Sequence, residues 1–409
     1  MKLAFVHCRI MKGGALNVFQ ELIMEEIKKL KNGKIKKLDA ERWKLPTGQA
    51  GVRTLGENEK INQFKIFTLI SDRKFLEIEN LSACNNGYEK IEIVTALPNW
   101  INQIFLFFAK KNFPILSWIF DYRNLMFFYP RLMKILSKKI KKFGAEKIVI
   151  SSFAIGKNIS IEGSVYKTLY LHSPMQYIRS HYDEYIGKLK GLKLFLFKFI
   201  SNRLRKRDKK FVKFDEIYAN SNYTAKLAKE IYGLDCKVRY PKISEIIYNE
   251  SNEITGEYSD YYIYIGRLVS FVKEVDKVIR LFNELKRPLI IMGSGPDELY
   301  LKSIAGNNII FVGWIDYEKK KDNFKILKNA KGFINLTKES FGIATVEALI
   351  LGVPVFGYNK GGSVELVDKD SGILVENKDQ LSLIQGFEKF EKINWNRKKI
   401  SEVIKNKIK

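Results

Sequence analysis

Glu339 and Glu347 are carboxylates with seven residues between them, in the run Glu339-Ser340-Phe341-Gly342-Ile343-Ala344-Thr345-Val346-Glu347. The first belongs to a loop and the second to an apolar, helix-forming stretch. Gly342 lets backbone come close to a ligand. The helix that follows starts with N–H groups that have no intrahelical partner, which is a ready anion site. Glu347 falls on its second turn. The spacing predicts a phosphate held at the helix start with one acid on either side.

Other residues of matching chemistry stand where strands should end. Arg267, in Gly266-Arg267-Leu268, can fork onto phosphate oxygens, and Lys273, six residues on, adds a point charge. Read alone, Arg267 is equally a surface arginine. Gly13-Gly14 and Gly293-Ser294-Gly295-Pro296 are glycine loops after strands, either phosphate cradles or plain tight turns. Gly313, in Val312-Gly313-Trp314, can offer backbone groups to a base. His172 closes the apolar run Thr168–Leu171 and is a candidate contact to a reacting sugar; a satisfied structural histidine is the alternative. His7 ends the first strand in a comparable place, and His181 reads as structural.

Positioning these groups requires alternating strands and helices. Leu3–Val6, a loop, and a helix with Leu16, Phe19, Leu22, Ile23, Ile27 and Leu30 at helical spacing open the chain. Strands are expected at 67–70, 91–94, 147–150, 168–171 and 216–219. A polar segment, 249–258, reads as a linker. Strands then recur at 261–265, 288–292, 308–312, 332–336 and 353–357. This alternation argues for α/β architecture with a parallel sheet in each half. The expected domains are 1–248, with 31–63 as an insertion or flap, and 249–392; a closing helix, 393–409, could cross back to the first.

The 409 residues include 46% apolar side chains, enough for two cores. Cys8, Cys84 and Cys236 are odd in number and far apart, with no metal-clamp or disulfide spacing. No stretch reaches the roughly 18 uninterrupted apolar residues of a membrane span. Met1–Val6 runs directly into a core strand, so no secretory signal is expected and a cytoplasmic location is. A net charge of +26 calls for an anionic partner: nucleic acid, an acidic membrane surface or a phosphorylated substrate. Two aromatic-basic tracts carry much of it, 104–142 and 188–214. In the second, Leu192, Phe195, Leu196, Phe199 and Ile200 share a helical face among basic residues. Each tract is either an interfacial helix on anionic lipid or a core-packed helix with a solvated lysine face. No nucleic-acid-binding module accompanies the lysines, which leaves a basic nucleic-acid binder as a distant alternative.

Taken together, the motifs resemble the retaining glycosyltransferases of family four (glycosyl transferases group 1). Gly13-Gly14-Ala15, Leu171-His172-Ser173-Pro174-Met175, Ala219-Asn220-Ser221-Asn222-Tyr223, Gly266-Arg267-Leu268, Gly293-Ser294-Gly295-Pro296, Glu339 to Glu347 and Gly361-Gly362-Ser363-Val364-Glu365 carry the resemblance in order. It implies the GT-B fold, two facing Rossmann-like doubly wound domains with an interdomain cleft. It implies a nucleotide-diphosphate sugar as donor, retained configuration, no metal and no cofactor. Glu347 would bind the donor ribose and Glu339 would face the transferred sugar. Backbone N–H groups of Phe341, Gly342 and Ile343, with Arg267 and Lys273, would hold the diphosphate, and Gly13-Gly14 would close on it. His172 would contact the sugar near the reacting carbon. Two positions depart from the family pattern: Lys273 stands one residue later than is common, and Phe153 replaces a residue often polar.

The reading is a glycosyltransferase of surface polysaccharide or lipopolysaccharide biosynthesis, acting on a saccharide or lipid-linked saccharide. An anionic membrane surface is a further partner and no nucleic acid is. GDP-mannose is the donor guessed from the resemblance around His172. An epimerase or phosphorylase on the same fold is the alternative enzyme.

Overall fold

The computed structural model describes residues 1–10, 14–31, 63–71, 92–110, 128–254, 258–313 and 320–408. Gly13, residues 32–62 of the expected insertion and 111–127 of the first aromatic-basic tract lie outside the described residues.

The chain forms two compact units that interleave in sequence. The first comprises Met1–Ser180, Gly191–Ala219 and Ala228–Lys237; the second comprises His181–Lys190, Asn220–Leu227 and Val238–Lys409. The sequence reading places one boundary after residue 248, which falls inside the helix Glu245–Glu250. Ile243 and Ile247, before that point, are already buried in the core of the second unit.

Among the described residues, the first unit is built on a seven-stranded sheet. Its strands are β1 (Lys2–Ile10), β2 (Gln63–Ser71), β3 (Glu92–Thr95), β4 (Lys147–Ser152), β5 (Tyr166–Leu171), β6 (Glu216–Ala219) and β7 (Lys237–Val238), in the order β3-β2-β1-β4-β5-β6-β7. β1 to β6 pair in parallel. A parallel sheet covered on both faces needs continuous apolar strands, and Leu3, Ala4, Phe5 and Val6 of β1 are all fully buried. The helix Gly14–Lys31 follows β1 and packs Leu16, Phe19, Ile23 and Ile27 against Leu3, Phe5 and Val149.

The second unit carries β8 (Tyr262–Ile265), β9 (Leu289–Met292), β10 (Ile309–Gly313), β11 (Gly332–Asn335), β12 (Val355–Tyr358) and β13 (Gly372–Val375), in the order β10-β9-β8-β11-β12-β13. All these pairings are parallel. Two apolar clusters, one around Val346, Leu349 and Leu351 and one around Phe282, Phe356 and Phe387, complete its core. The α/β, doubly wound expectation holds in both units. In each sheet the chain runs outward through three strands and returns on the other side of the first. The switch points lie between β1 and β4 and between β8 and β11, where ligands of such sheets bind beyond the carboxyl ends. Strand β13 escapes the sequence reading because its four residues start on glycine and stay half-buried in part.

The closing helix Arg397–Lys407 is held within the second unit, where sequence allowed it to cross to the first. Ile400 and Ile404 enter the core. The Ser401 hydroxyl donates to the Ile350 carbonyl at 2.5 Å, and the Arg397 Nε donates to the Gly352 carbonyl at 3.0 Å.

The two aromatic-basic tracts part company. In the helix Tyr129–Phe143, Leu132, Met133, Leu136 and Ile140 are buried while Lys134, Lys138 and Lys142 face solvent, so this helix packs on a core. The helix Gly191–Asp208 buries only Ser201, Leu204 and Asp208. Its first half is apolar on all sides rather than on one face, because Leu194 and Phe197 add to the expected stripe.

Candidate functional site

Beyond β8 and β9 two loops run backbone against backbone. A Cβ on Gly293 would stand 1.9 Å from the Gly266 carbonyl oxygen, and one on Gly295 2.2 Å from that of Leu268. The Gly266 and Leu268 N–H groups donate to the Met292 and Ser294 carbonyls at 3.0 Å each. The Gly293 N–H donates to the Gly313 carbonyl at 2.8 Å, which ties in the loop after β10. Gly293 is thus required first by packing between loops. Gly313 has φ +72 with open space where a Cβ would be. Arg267 projects from this base, exposed, and its guanidinium makes no hydrogen bond among the described residues.

Lys273 ends the single-turn helix Ser270–Lys273, whose first N–H, from Ser270, donates to Asp297 Oδ2 at 2.7 Å. The Thr337 hydroxyl donates to the Lys273 carbonyl at 3.0 Å. The Lys273 ammonium pairs with the Glu339 carboxylate, so two residues singled out by sequence meet across the switch point between β8 and β11. Burial, with Glu339 nearby, pushes the phenol of Tyr264 beneath this loop upward. Its hydroxyl has no partner among the described residues.

Glu339 opens the acid loop, and Gly342 turns it into the helix Ile343–Ile350 with φ +101. Glu347 lies on the second turn, half-buried. Phe341 is buried and stacks on Tyr240 with ring centroids 5.5 Å apart, so its side chain anchors the loop and its backbone faces the helix start. Asn335 fixes both ends of the turn: its Nδ2 donates to Thr345 Oγ1 at 3.0 Å, and its Oδ1 accepts from the Thr337 N–H at 3.1 Å. Gly361 and Gly362 press on the loop from the other side. A Cβ on either would lie 2.4 Å from a carbonyl oxygen, of Glu339 and Phe341 respectively. The Gly362 N–H donates to the Glu339 carbonyl at 2.8 Å.

Sequence reasoning did not anticipate the part played by Asn220-Ser221-Asn222. The Ser221 hydroxyl accepts from the Thr224 N–H at 3.0 Å, capping the helix Asn222–Tyr232, and donates to the Ser340 carbonyl at 2.5 Å. Glu365 Oε2 accepts from the Asn222 N–H at 3.0 Å and from its Nδ2 at 2.7 Å. A cap signal was legible there, but its second partner 119 residues away was not.

A cavity of 190 Å³ adjoins the acid loop in sequence through Lys338 and the Lys273 turn through Phe271. Lys378 borders it, 3.9 Å from the Tyr358 ring centroid and paired with Glu274. Burial pushes this lysine down and Glu274 pulls it back up.

In the first unit, His7 lies inside β1, which continues past it to Ile10 rather than ending there as the sequence suggests; Ser151 is next to last in β4 and His172 follows β5. The Ser151 hydroxyl bridges them, 3.0 Å from His7 Nδ1 and 2.7 Å from His172 Nε2. Burial pushes both imidazoles down to about 3, with His172 adding to the shift of His7. Both are therefore neutral near pH 7, and Ser151 fixes their orientation. Phe153, the departure from the family pattern, packs its ring 5.4 Å from that of His7. Gly14 begins the helix after β1.

The profile of "Glycosyl transferases group 1" matches residues 249–407. A Klebsiella pneumoniae protein described as an uncharacterized 41.2 kDa protein in the cps region is 27% identical over 199 residues, 45% of this chain and 54% of its own length. The GDP-mannose-dependent monoacylated alpha-(1-6)-phosphatidylinositol monomannoside mannosyltransferase of Corynebacterium glutamicum is 31% identical over 119 residues, 27% of this chain and 30% of that protein. The matches thus span about half, or less, of these curated relatives. The crystal structure of Anabaena HepE in complex with UDP aligns with a TM-score of 0.58 over 100% of this chain and 96% of that one, at 15% identity, a likeness of fold. Residues 249–407, which hold Arg267, the Lys273–Glu339 pair and Glu347, are the part of the chain that matches the glycosyl transferases group 1 family.

Proposed function

We propose that this protein is a retaining, metal-independent glycosyltransferase. It moves a sugar from a nucleoside diphosphate sugar to a saccharide or lipid-linked saccharide acceptor in surface polysaccharide synthesis. The observation that carries this reading is the convergence of Arg267, the Lys273–Glu339 pair and the Gly342-led helix start at one switch point. The relatives from a cps region and from mannolipid synthesis support the acceptor class, and the UDP complex of a protein of like fold supports the donor class.

The chemistry follows from charge. As the bond from the anomeric carbon to the phosphate oxygen breaks, negative charge grows on the diphosphate. Arg267, Lys273 and the N–H groups of Phe341 to Ile343 stabilise it in place, the role a metal ion plays elsewhere. The acceptor oxygen bonds to the same carbon from the face the diphosphate leaves. Its proton passes to the departing phosphate oxygen, which balances the step. Glu347 binds ribose hydroxyls, and Glu339, oriented by Lys273, faces the sugar.

The test is a panel of nucleotide sugars, GDP-mannose and UDP-glucose included, read by thermal shift and then by product formation with saccharide acceptors. Glu347→Ala and Arg267→Ala are each expected to weaken donor binding or transfer tenfold or more, about 1.4 kcal/mol, with melting unchanged. Wild-type rates in both variants would remove the assignment. Donor conversion without acceptor product would favour an epimerase.

A further inference from the structure

The helix Gly191–Asp208 is bolted at one end and bare at the other. At its C-terminal end Asp208 is fully buried and pairs with Lys157, also fully buried, and with Arg179 at 3.3 Å. Tyr232 donates its hydroxyl to Asp208 at 2.7 Å. Arg205 Nε donates to the Ile178 carbonyl at 2.7 Å, and Asn158 Nδ2 donates to the Lys210 carbonyl at 2.8 Å. The first ten residues contain no buried residue. Leu192, Phe195, Leu196 and Phe199 are 71%, 66%, 46% and 48% exposed. A soluble surface seldom leaves four large apolar side chains together on two turns.

Charge selects what covers them. Eleven Lys and Arg residues lie between Lys188 and Lys213, against one acid, Asp208, which is buried and already paired. Lys190, Lys193 and Lys198 are exposed among the apolar residues themselves. A second copy of this chain would bring the same positive charge to the contact and be repelled. An anionic bilayer supplies both an apolar interior for the leucine and phenylalanine side chains and phosphates for the lysines, whose long stems reach the headgroups. We propose that the N-terminal half of this helix inserts into an anionic lipid surface, with its buried C-terminal base as the rigid mount.

The helix Tyr129–Phe143 provides an internal control, since it is as lysine-rich but buries its apolar face. The full-length protein is sedimented with vesicles of phosphatidylcholine alone and of phosphatidylcholine with phosphatidylglycerol, at low and high salt. Binding is expected only to the anionic vesicles and to weaken with salt. Changing Leu192, Phe195, Leu196 and Phe199 together to Ser should lower it tenfold or more, and Lys190→Gln with Lys193→Gln and Lys198→Gln by about as much. Lys134→Gln with Lys138→Gln and Lys142→Gln should leave it within about twofold. Should the serine variant fail to fold, Phe195→Trp with brominated lipid replaces it, and quenching of the new indole is expected. No sedimentation of wild type with anionic vesicles at low salt, equal loss in the control variant, or an unquenched indole in the Phe195→Trp variant would each overturn the proposal. So would a wild-type dimer that the serine variant converts to monomer. None of these readouts requires sugar transfer, so this proposal and the enzymatic one fail separately.

Discussion

Gly361 shows how a residue without a side chain shapes the acid loop. It has φ +82, and a Cβ there would meet the Glu339 carbonyl oxygen at 2.4 Å. Gly144 supplies the comparison, with φ +71 and nothing within 4 Å of a Cβ. Gly144→Ala should cost only the left-handed backbone strain, about 1 kcal/mol. Gly361→Ala carries that strain and the clash, so urea unfolding should show a further loss of about 1 kcal/mol or more. It should also weaken donor binding, because the clash displaces Glu339. Equal losses in the two variants, with binding intact, would mean that the loop has room to give. Glu339 and Lys273 themselves belong to a partly exposed pair, which contributes little to stability; their pairing matters for orientation.

At the scale of elements, two devices hold the segments on which the two proposals rest. One is the Ser221 hydroxyl, which caps one helix and pins the Ser340 carbonyl beside Glu339. The other is the Lys157–Asp208 pair with Arg179 and Tyr232 at the base of Gly191–Asp208. Burial pushes Lys157 downward and Asp208 opposes that shift, so the lysine depends on its partner. Asp208→Ala leaves an ammonium group buried without a counter-charge, and a loss of about 3–5 kcal/mol in chemical denaturation is expected. A loss under about 1 kcal/mol would show that water reaches Lys157 and that the mount is not rigid. The element also explains why the two lysine-rich helices differ: one has an apolar stripe wide enough to bury, and the other is apolar on most sides of its first half and leaves four large side chains exposed there.

For the molecule as a whole, acid should be a specific weakness. His7 and His172 are held at about 3 in the folded chain, against 6.5 in the unfolded one. Between those values the unfolded state binds protons that the folded state does not. Their contribution to stability is therefore full above about pH 6.5 and falls as pH drops toward 3, by roughly 1 kcal/mol per pH unit for each histidine. Melting temperature measured from pH 7 to 4.5 should decline, and His172→Gln should flatten the slope whatever it does to the midpoint. A level profile in wild type would show that the Ser151-bridged pair titrates normally. The net charge of +26 acts in the same direction, since protonating carboxylates adds to self-repulsion.

Local physics carried the sequence a long way. Eleven of the thirteen strands among the described residues were expected within a few residues of their bounds, because a buried parallel strand needs an unbroken apolar run and a glycine or polar break after it. The acid pair, the glycine turn and the helix between them were legible for the same reason, since all three lie within nine residues. What only tertiary structure decided are contacts between distant residues: Ser221 on Ser340, Ser151 between two histidines, Gly361 against Glu339, and the interleaving of the two units. Periodicity tells which side chains are apolar, but burial depends on what the rest of the chain places over them. That is why one basic helix lies on a core and the other leaves the large side chains of its first half exposed.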